Sequence, residues 1–192
     1  MRDVVVVFAR TPRLGTVKRR LARSVGARAA LQFHRAMLSR LVRAVRRERR
    51  FDTVFALTGG ATRWPRGVAR IRQERGDLGR RMEHAFRRFP RRRVVLVGTD
   101  IPALGAADLR AAFRALGRTT AVFGPAEDGG FWLAGFGPRR PARPFAGVRW
   151  SSRHTLADTL ANLRPRPVAL LRRLRDVDTA ADLRAAREAG LC

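Results

Sequence analysis

The most constraining feature of the sequence is the regular alternation of strand signals with helix signals along the whole chain. The first strand signal, Asp3–Ala9, is an unbroken apolar run, which is typical of a strand covered on both faces of a sheet. An amphipathic helix is predicted over Ala27–Arg47, and a second strand over Asp52–Leu57. Alternation of this kind predicts βα units and a largely parallel sheet. We therefore expect one α/β domain over residues 1–192.

The later elements continue the alternation. Asp77 is predicted to cap a helix whose apolar residues recur at helical spacing and end before Pro90. Further strands are predicted over Arg93–Val97, Thr120–Phe123, Phe131–Phe136 and Val168–Leu171, and further helices from about Thr16, over Ala106–Leu116, over His154–Leu163 and after Thr179. The irregular stretch Ala61–Gly76 indicates a loop with one short strand. Neither an internal repeat nor a long linker divides the sequence, which favours a single domain.

The composition disfavours a membrane protein and a disulfide-rich protein. No stretch approaches the roughly 20 consecutive apolar residues of a membrane span. The apolar run at the start of the chain lacks a basic leader, and it therefore favours a strand over a signal peptide. The single cysteine, Cys192, leaves no partner for an internal disulfide. We expect a cytoplasmic protein without a membrane partner.

The formal net charge of +27 raises the question of nucleic-acid binding. Only one of the 42 lysine and arginine residues, Lys18, is a lysine, and this imbalance is typical of codon bias in a GC-rich genome. The arginines are dispersed along the chain, and aromatic residues are not interleaved with them for base stacking. Dispersal of this kind favours a solvated surface over a specific nucleic-acid site, while small anionic ligands should still be attracted.

The first motif that could carry chemistry lies between the first strand and the first predicted helix. A helix that begins near Thr16 would point its free N–H groups and the positive end of its dipole at the preceding turn. Lys18 is retained in a sequence that otherwise uses arginine, which suggests a need for a compact charge. The predicted phosphate-binding residues are Arg10, Thr11, Pro12, Arg13, Gly15 and Lys18. The glycine spacing of a P-loop is missing, and a basic helix start without a ligand is the alternative.

A second motif, Gly98-Thr99-Asp100-Ile101-Pro102, places an aspartate directly after a buried strand. Open α/β sheets bind their ligands at this end of the strands. A carboxylate there can hold Mg²⁺ or Mn²⁺ with few protein ligands, because water and phosphate oxygens fill the rest of the coordination shell. A turn aspartate before proline explains Asp100 equally well, and the residues alone leave both interpretations open.

A third motif, Glu127-Asp128-Gly129-Gly130, lies between two predicted strands. Either acid could complete a metal site, with Asp128 the assigned ligand, or act as a base toward an acceptor. The two glycines allow a backbone or a ligand to approach closely. A hairpin turn explains Asp128-Gly129 alone, but it does not explain the preceding acid.

Two weaker elements complete the candidate site. Asp77 could place a polar group near the ligand, although its predicted role as a helix cap explains it equally well. Trp150 and Ser151 could wall an acceptor pocket together with Gly129 and Gly130, although Trp150 fits a core position as easily. His34 lies on an apolar helix face and is interpreted as structural.

With these motifs in their order along the chain, the sequence resembles a bacterial family of glycosyltransferase-A-like transferases. Members are known as selenodomain-associated or arsenosugar-biosynthesis transferases, or as domain of unknown function 2064. The matching motifs are Pro12–Lys18, Gly76–Gly79 with Arg81-Met82, Gly98–Pro102, Gly124–Gly130, Trp150-Ser151 and Asp176–Thr179. The resemblance implies a three-layer α/β/α Rossmann-like fold of the nucleotide-diphospho-sugar transferase type. It also implies a phosphate contact for Lys18 and metal binding by Asp100.

The function expected from this resemblance is a metal-dependent transfer from a nucleotide-activated donor. We predict a glycosyltransferase with Mg²⁺ or Mn²⁺ as cofactor and with Lys18, Asp100, Glu127 and Asp128 as catalytic residues. The partners would be a nucleotide-sugar or NTP and a small-molecule acceptor, and a homodimer is compatible with the sequence. The alternatives are a nucleotidyltransferase that joins an NMP to a small phosphorylated or carboxylated acceptor, and an arginine-rich binder of nucleic acids or other polyanions.

Overall fold

The computed structural model describes residues 2–59 and 68–191, which form seven strands and six helices. In chain order these are β1 (Asp3–Arg10), α1 (Arg19–Val25), α2 (Ala27–Arg47), β2 (Phe51–Thr58), β3 (Ala69–Arg72), α3 (Leu78–Arg87), β4 (Val94–Val97), α4 (Ala106–Ala115), β5 (Ala121–Pro125), β6 (Phe131–Phe136), α5 (Thr155–Ala161), β7 (Val168–Leu170) and α6 (Ala180–Glu188). The short strand predicted within 61–76 is β3, and the part of that prediction over 60–67 lies outside the described residues, as does Cys192.

The strands form a seven-stranded sheet in the order β3-β2-β1-β4-β6-β5-β7. β6 runs antiparallel to both of its neighbours, and the other neighbouring strands are parallel. The chain moves from β1 outward through β2 and β3 and then returns to place β4 on the other side of β1. Open α/β sheets bind ligands outside the carboxyl ends of the strands at such a reversal of strand order. The topology therefore predicts a ligand site near the ends of β1 and β4.

Helices cover both faces of the sheet and form two core layers. On one face, Leu41 of α2 and Phe113 of α4 belong to the same buried cluster as Val5 of β1. On the other face, Phe86 of α3 packs in a cluster with Val4 of β1, and α5 is packed against that cluster. Successive strand residues thus contribute to opposite layers, as the period of a β-strand requires. The expected three-layer, mostly parallel α/β/α fold is confirmed.

A third buried cluster joins the first two helices to the last one. Leu21 of α1, Phe33 of α2 and Leu183 of α6 are buried together with Val177, which precedes α6. α6 begins with the predicted capping box, in which the Thr179 hydroxyl and the Asp182 carboxylate each accept a bond from the other's backbone N–H. This cluster brings the start of α1 next to the segment that leads into α6.

The first helix begins later than the sequence predicts. Helix α1 starts at Arg19, and Lys18 precedes it in a left-handed conformation with φ 47° and ψ 49°. Thr16 does not cap the helix, because both its N–H and its hydroxyl bond to the carbonyl of Arg13 at 3.2 and 3.0 Å and close a turn instead. The helix that remains has seven residues. The predicted spans of α2 and β6 match the structure at both ends.

None of the helices in the described residues combines the length and the apolar composition that crossing a bilayer requires.

Gly124→Ala should destabilise the fold by about 1–3 kcal/mol, because it overpacks a tight contact in the core. A Cβ atom at Gly124 would lie 2.3 Å from the Trp132 ring, which is itself only 3% exposed. We expect the melting temperature to fall by roughly 2–4 °C for each kcal/mol. The matched control is Gly137→Ala, whose Cβ would meet only Thr120 O at 4.0 Å and should change stability little. Equal losses in both variants would show that the Trp132 contact is not the cause.

Candidate active site

A turn of basic residues follows β1 at the reversal of strand order. Arg10, the last residue of β1, is exposed, and its guanidinium donates to Thr16 O at 3.2 Å across the turn. The turn borders a cavity of about 370 Å³, which we call the basic cavity. Its charged lining residues are Arg10, Lys18, Arg19, Arg20, Asp100 and Asp178. Because α1 is short and starts beyond Lys18, the positive character of this cavity comes mainly from side chains.

Lys18 lies between two carboxylates at the inner end of the basic cavity. Its Nζ is 2.9 Å from Asp100 Oδ2 and 3.0 Å from Asp178 Oδ1, and it donates to Val177 O at 2.6 Å. The Lys18 side chain is 5% exposed, whereas those of Asp100 and Asp178 are 43% and 35% exposed. Burial alone would lower the pKa of Lys18, but the charges and hydrogen bonds of Asp100 and Asp178 outweigh it and raise that pKa. Lys18 therefore holds its proton firmly at physiological pH.

Four aspartates converge on a second cavity of about 420 Å³, which we call the carboxylate cavity. They are Asp100 after β4, Asp128 between β5 and β6, and Asp176 and Asp178 between β7 and α6. Asp100 and Asp178 line the basic cavity as well, so the two cavities adjoin at this pair. Burial raises the pKa of Asp176, and the neighbouring charges of Asp178 and Asp128 raise it further. The cavity is therefore a site of concentrated negative charge.

The chemistry of these side chains fits a hard divalent cation. Carboxylate oxygens are the ligands that Mg²⁺ and Mn²⁺ prefer, and a Mg²⁺ site commonly uses one or two carboxylates with water and phosphate oxygens. The Lys18 ammonium lies against two of the four carboxylates, so this pair already faces one positive charge. No three acidic, histidine or cysteine side chains among residues 2–59 and 68–191 are grouped closely enough to enclose a metal ion by themselves.

The segment that carries Asp176 and Asp178 is held against the sheet by backbone bonds. Leu174 N donates to Pro125 O at 3.1 Å, Glu127 N donates to Leu174 O at 3.2 Å, and Val177 N donates to Asp100 O at 3.0 Å. These bonds tie the segment to the loops after β5 and β4. The positions of the two aspartates are therefore set by the sheet rather than by a free loop.

Side-chain bonds hold the start of the same segment. Arg172 binds the Asp108 carboxylate through Nε at 2.7 Å and through a terminal nitrogen at 2.9 Å. Trp132 Nε1 donates to Arg172 O at 3.2 Å. Asp108 is 7% exposed and also accepts from Gly105 N at 2.9 Å at the start of α4. This bidentate pair anchors the chain just before the two aspartates.

The residues of the Glu127-Asp128-Gly129-Gly130 motif lie in different surroundings. Asp128 lines the carboxylate cavity, where its Oδ1 accepts from Gly130 N at 2.8 Å. Glu127 instead faces Arg175, with Oε2 2.6 Å from Nε. Gly129 has φ +87°, and a Cβ there would lie 2.3 Å from Arg153 O, so the position requires glycine for backbone reasons.

Three of the four predicted acceptor residues line the carboxylate cavity, and Gly129 is not among its lining residues. Trp150, Ser151 and Gly130 line it, and the Trp150 ring also packs against Phe131 and Phe145 with centroid distances of 6.3 and 5.9 Å. Trp150 thus serves both the core and the cavity wall. Ser151 is held in a left-handed conformation with φ 55°.

Two other predicted ligand residues lie at separate cavities. Asp77 caps α3 by accepting from Arg80 N at 2.8 Å, and it lines a cavity of about 340 Å³. Thr11 is buried, its hydroxyl donates to Gly59 O at 2.9 Å, and it lines a cavity of about 890 Å³ at the ends of β1, β2 and β3. We call the latter the outer cavity; Thr11, Gly59, Gln73 and Arg75 are among its lining residues.

Sequence reasoning did not assign Asp176 and Asp178 to the site. The available signal was the acidic pair in Asp176-Val177-Asp178-Thr179, but the neighbouring Thr179 and Asp182 already explain the segment as a helix cap. Only the sheet order, which places β7 beside β5, brings this segment to the same edge as Asp100. The outer cavity likewise forms from three strand ends that are distant in sequence.

The strand order and the site together define a fold of the nucleotide-diphospho-sugar transferase type. The chain belongs to the family described as uncharacterized proteins conserved in bacteria, DUF2064, whose pattern matches residues 41–152. A comparison with functionally curated proteins finds no significant match.

Solved structures with this fold include proteins that act on nucleotides. A candidate nucleotide-diphospho-sugar transferase from Desulfovibrio desulfuricans G20 has a TM-score of 0.92 and 28% identity, with coverage of 99% of this chain and 88% of that one. The manganese complex of Rv0371c from Mycobacterium tuberculosis H37Rv has a TM-score of 0.59 and 20% identity, with coverage of 98% and 100%. The 2-C-methyl-D-erythritol 4-phosphate cytidylyltransferase of Thermus thermophilus has a TM-score of 0.59 and 17% identity, with 100% coverage of both chains. At these identities the last two show a shared fold only.

Proposed function

We propose that the protein is a metal-dependent transferase that uses a nucleotide-activated donor, and that it moves a sugar from a nucleotide-sugar to a small acceptor. The observation that carries the proposal is the meeting of the basic cavity and the carboxylate cavity at Asp100 and Asp178. A donor diphosphate needs positive side chains on one side and a cation held by carboxylates on the other. These two adjoining cavities offer both.

The basic cavity would bind the diphosphate. Arg10, Arg19 and Arg20 line it and are exposed, so their guanidinium groups can turn toward phosphate oxygens. Pro12, Arg13 and Gly15 belong to the turn between Arg10 and Thr16 and are not among the residues that line the cavity; Gly15 has φ +73° in this turn. The positive charge of the whole chain would also favour capture of an anionic donor.

Asp100 and Asp178 would hold Mg²⁺ or Mn²⁺, and Asp128 would either complete the shell or orient the acceptor. Such an ion, when bound, neutralises the negative charge that develops on the departing diphosphate. Asp128 is exposed to the carboxylate cavity and fixed by Gly130 N, so it can accept a hydrogen bond from an acceptor hydroxyl. Trp150 and Ser151 would form the acceptor wall. The proposed catalytic role of Glu127 is the weaker one, because Arg175 already engages its carboxylate.

The outer cavity would bind the nucleoside. It lies at the ends of β1, β2 and β3 and is the most spacious of the four cavities described above. Thr11 and Gly59 both line it, and the Thr11 hydroxyl donates to Gly59 O. Gln73 lines it, and its amide bonds to Ala56 O at 2.7 Å and to Arg81 at 3.1 Å, so that side chain is pre-positioned.

Nucleotidyl transfer is the alternative within the same class. Lys18 in the lining of the basic cavity favours it, because a lysine that contacts donor phosphates is more typical of nucleotidyl transfer than of glycosyl transfer. The two reactions differ in their leaving group. Glycosyl transfer releases a nucleoside phosphate and leaves the sugar on the acceptor, whereas nucleotidyl transfer releases pyrophosphate.

A thermal-shift panel of nucleotide-sugars and NTPs, with and without Mg²⁺ or Mn²⁺, tests the proposal. A ligand present at about 100 times its dissociation constant should stabilise the fold by about 2.7 kcal/mol. We expect a nucleotide-sugar to give this stabilisation only when a divalent cation is present. Stabilisation by NTPs but not by nucleotide-sugars, together with release of pyrophosphate, would favour the nucleotidyltransferase. The absence of any cation-dependent stabilisation across the panel would contradict the proposal.

A further inference from the structure

The contact between Lys18 and the pair formed by Asp100 and Asp178 occupies the junction of the basic and carboxylate cavities. Lys18 Nζ lies 2.9 Å from one carboxylate and 3.0 Å from the other, and it also donates to Val177 O at 2.6 Å. Both carboxylates line both cavities. The Lys18 ammonium therefore lies on one oxygen of each carboxylate, where a cation shared by the two carboxylates would also lie.

The backbone directs Lys18 to this position. Lys18 and Ser151 are the two non-glycine residues in the described part of the chain with positive φ; Lys18 lines the basic cavity and Ser151 lines the carboxylate cavity. A lysine in the left-handed region is strained, and such strain persists only where the surroundings determine it. Val177, whose carbonyl accepts from Lys18, is itself fixed by its N–H bond to Asp100 O at 3.0 Å.

The charges do not balance when Lys18 is the only cation at this junction. One ammonium faces two carboxylates, and Asp128 and Asp176 add two more to the same cavity. Arg20 reaches Asp178 at 3.4 Å, but its side chain is 70% exposed and is screened by solvent. A divalent cation would neutralise the pair completely, and one ammonium cannot.

We propose that Lys18 and a divalent cation are alternative occupants of the Asp100–Asp178 pair, and that cation binding releases the Lys18 ammonium into the basic cavity. The released ammonium becomes an additional donor for phosphate oxygens in that cavity. Cation and phosphate ligand therefore bind cooperatively, because each stabilises the same displaced position of Lys18. The inference rests on the proposed function for the cation site at Asp100 and Asp178 and for the identity of the phosphate ligand.

The first test is the affinity for Mn²⁺ alone, measured by electron paramagnetic resonance of the free ion. Lys18→Met removes the competing charge and keeps an unbranched side chain, and it should bind Mn²⁺ at least about tenfold more tightly than the wild type. Such a gain is expected if the ammonium occupies the pair about nine-tenths of the time. The matched control, Arg20→Met, removes the exposed cation beside Asp178 and should change the affinity by less than about threefold. Equal or weaker Mn²⁺ binding by a folded Lys18→Met would overturn the proposal.

The second test needs no variant, because Lys18 is the only lysine in the sequence. Acetylation by acetic anhydride, located by peptide mass spectrometry, reports how accessible its amine is. Mg²⁺ alone should raise the acetylation rate of Lys18 several-fold, while the rate of the amino-terminal amine stays constant as an internal control. An unchanged Lys18 rate at saturating Mg²⁺ would mean that the ammonium stays in place, and the inference would be wrong.

The two tests separate this inference from the proposed function. If no nucleotide stabilises the protein but Mg²⁺ still exposes Lys18, the proposed function fails and the inference stands. If a nucleotide-sugar binds with its cation while Lys18 stays protected, only the inference fails.

Discussion

Asp100→Asn is expected to bind Mn²⁺ at least about a hundredfold more weakly than the wild type and to lose cation-dependent stabilisation by nucleotide-sugar. A hundredfold loss corresponds to about 2.7 kcal/mol. The amide removes one of the two negative charges that face the cation while it keeps the size of the side chain. The fold should survive, because the Asp100 side chain is 43% exposed and the Asp100 carbonyl still accepts from Val177 N.

Calorimetric titration with Mn²⁺ and nucleotide-sugar measures the loss of binding, and circular dichroism tests whether the fold survives. The matched control is Asp52→Asn, since the Asp52 side chain has a similar exposure of 45% but lies at the start of β2, at the opposite edge of the sheet. This control should bind like the wild type. A folded Asp100→Asn with unchanged cation affinity would exclude Asp100 from the site.

Asp108→Ala should lower the stability of the fold by about 2 kcal/mol, through the loss of a helix cap and of a charge-assisted pair. The Asp108 carboxylate accepts from Gly105 N and twice from Arg172, and it is 7% exposed. Urea unfolding measures the loss. Because Arg172 anchors the segment of Asp176 and Asp178, Mn²⁺ affinity should fall as well. The matched control, Glu83→Ala, breaks an i,i+4 helix pair at 3.7 Å with Arg87, whose side chain is 65% exposed, and should cost about 0.5 kcal/mol or less.

The loss of stability in Asp108→Ala should depend on pH. Burial alone would raise the pKa of Asp108, but its hydrogen bonds from Arg172 and Gly105 N outweigh burial and lower that pKa. A carboxyl with a lowered folded-state pKa contributes stability above its unfolded pKa, and this contribution disappears as the pH falls through the folded pKa. The stability difference between wild type and Asp108→Ala should therefore shrink below about pH 4. A difference that stays constant down to about pH 2, well below the ordinary carboxyl range, would show that the charge of Asp108 is not the cause.

The elements that the sequence predicts best are those specified by local signals. The span of α2 follows from apolar residues at helical spacing, and α6 follows from the Thr179–Asp182 capping box. The start of α1 is predicted wrongly because the Thr16 side chain and backbone close their own turn, and that choice depends on the carbonyl of Arg13. Local patterns therefore give the helices but not the path of the loop that leads into the first of them.

Features of the site that depend on distant contacts are harder to predict. The apolar run of β6 suits either direction; a hairpin turn at Asp128-Gly129 indicates an antiparallel pair with β5, but no local signal indicates the antiparallel pair with β4. The sequence motifs are compatible with one site that contains both Lys18 and Asp100. The contact between Lys18 and Asp178, however, depends on β7 lying next to β5. The direction of the Glu127 side chain depends in the same way on Arg175.

The ion pair between Lys18 and Asp178 joins residues that are 160 positions apart in the chain. Closing a loop of that length carries an entropic cost that is recovered only when the strands between the two residues have already aligned. The Lys18–Asp178 contact therefore depends on β4, β5 and β7 all holding their places in the sheet. An unfolded chain does not hold the Asp100 and Asp178 carboxylates together, so it cannot present them as a pair to one metal ion. Under the proposed function, divalent cations should therefore bind the folded protein in preference to the unfolded chain and raise its melting temperature.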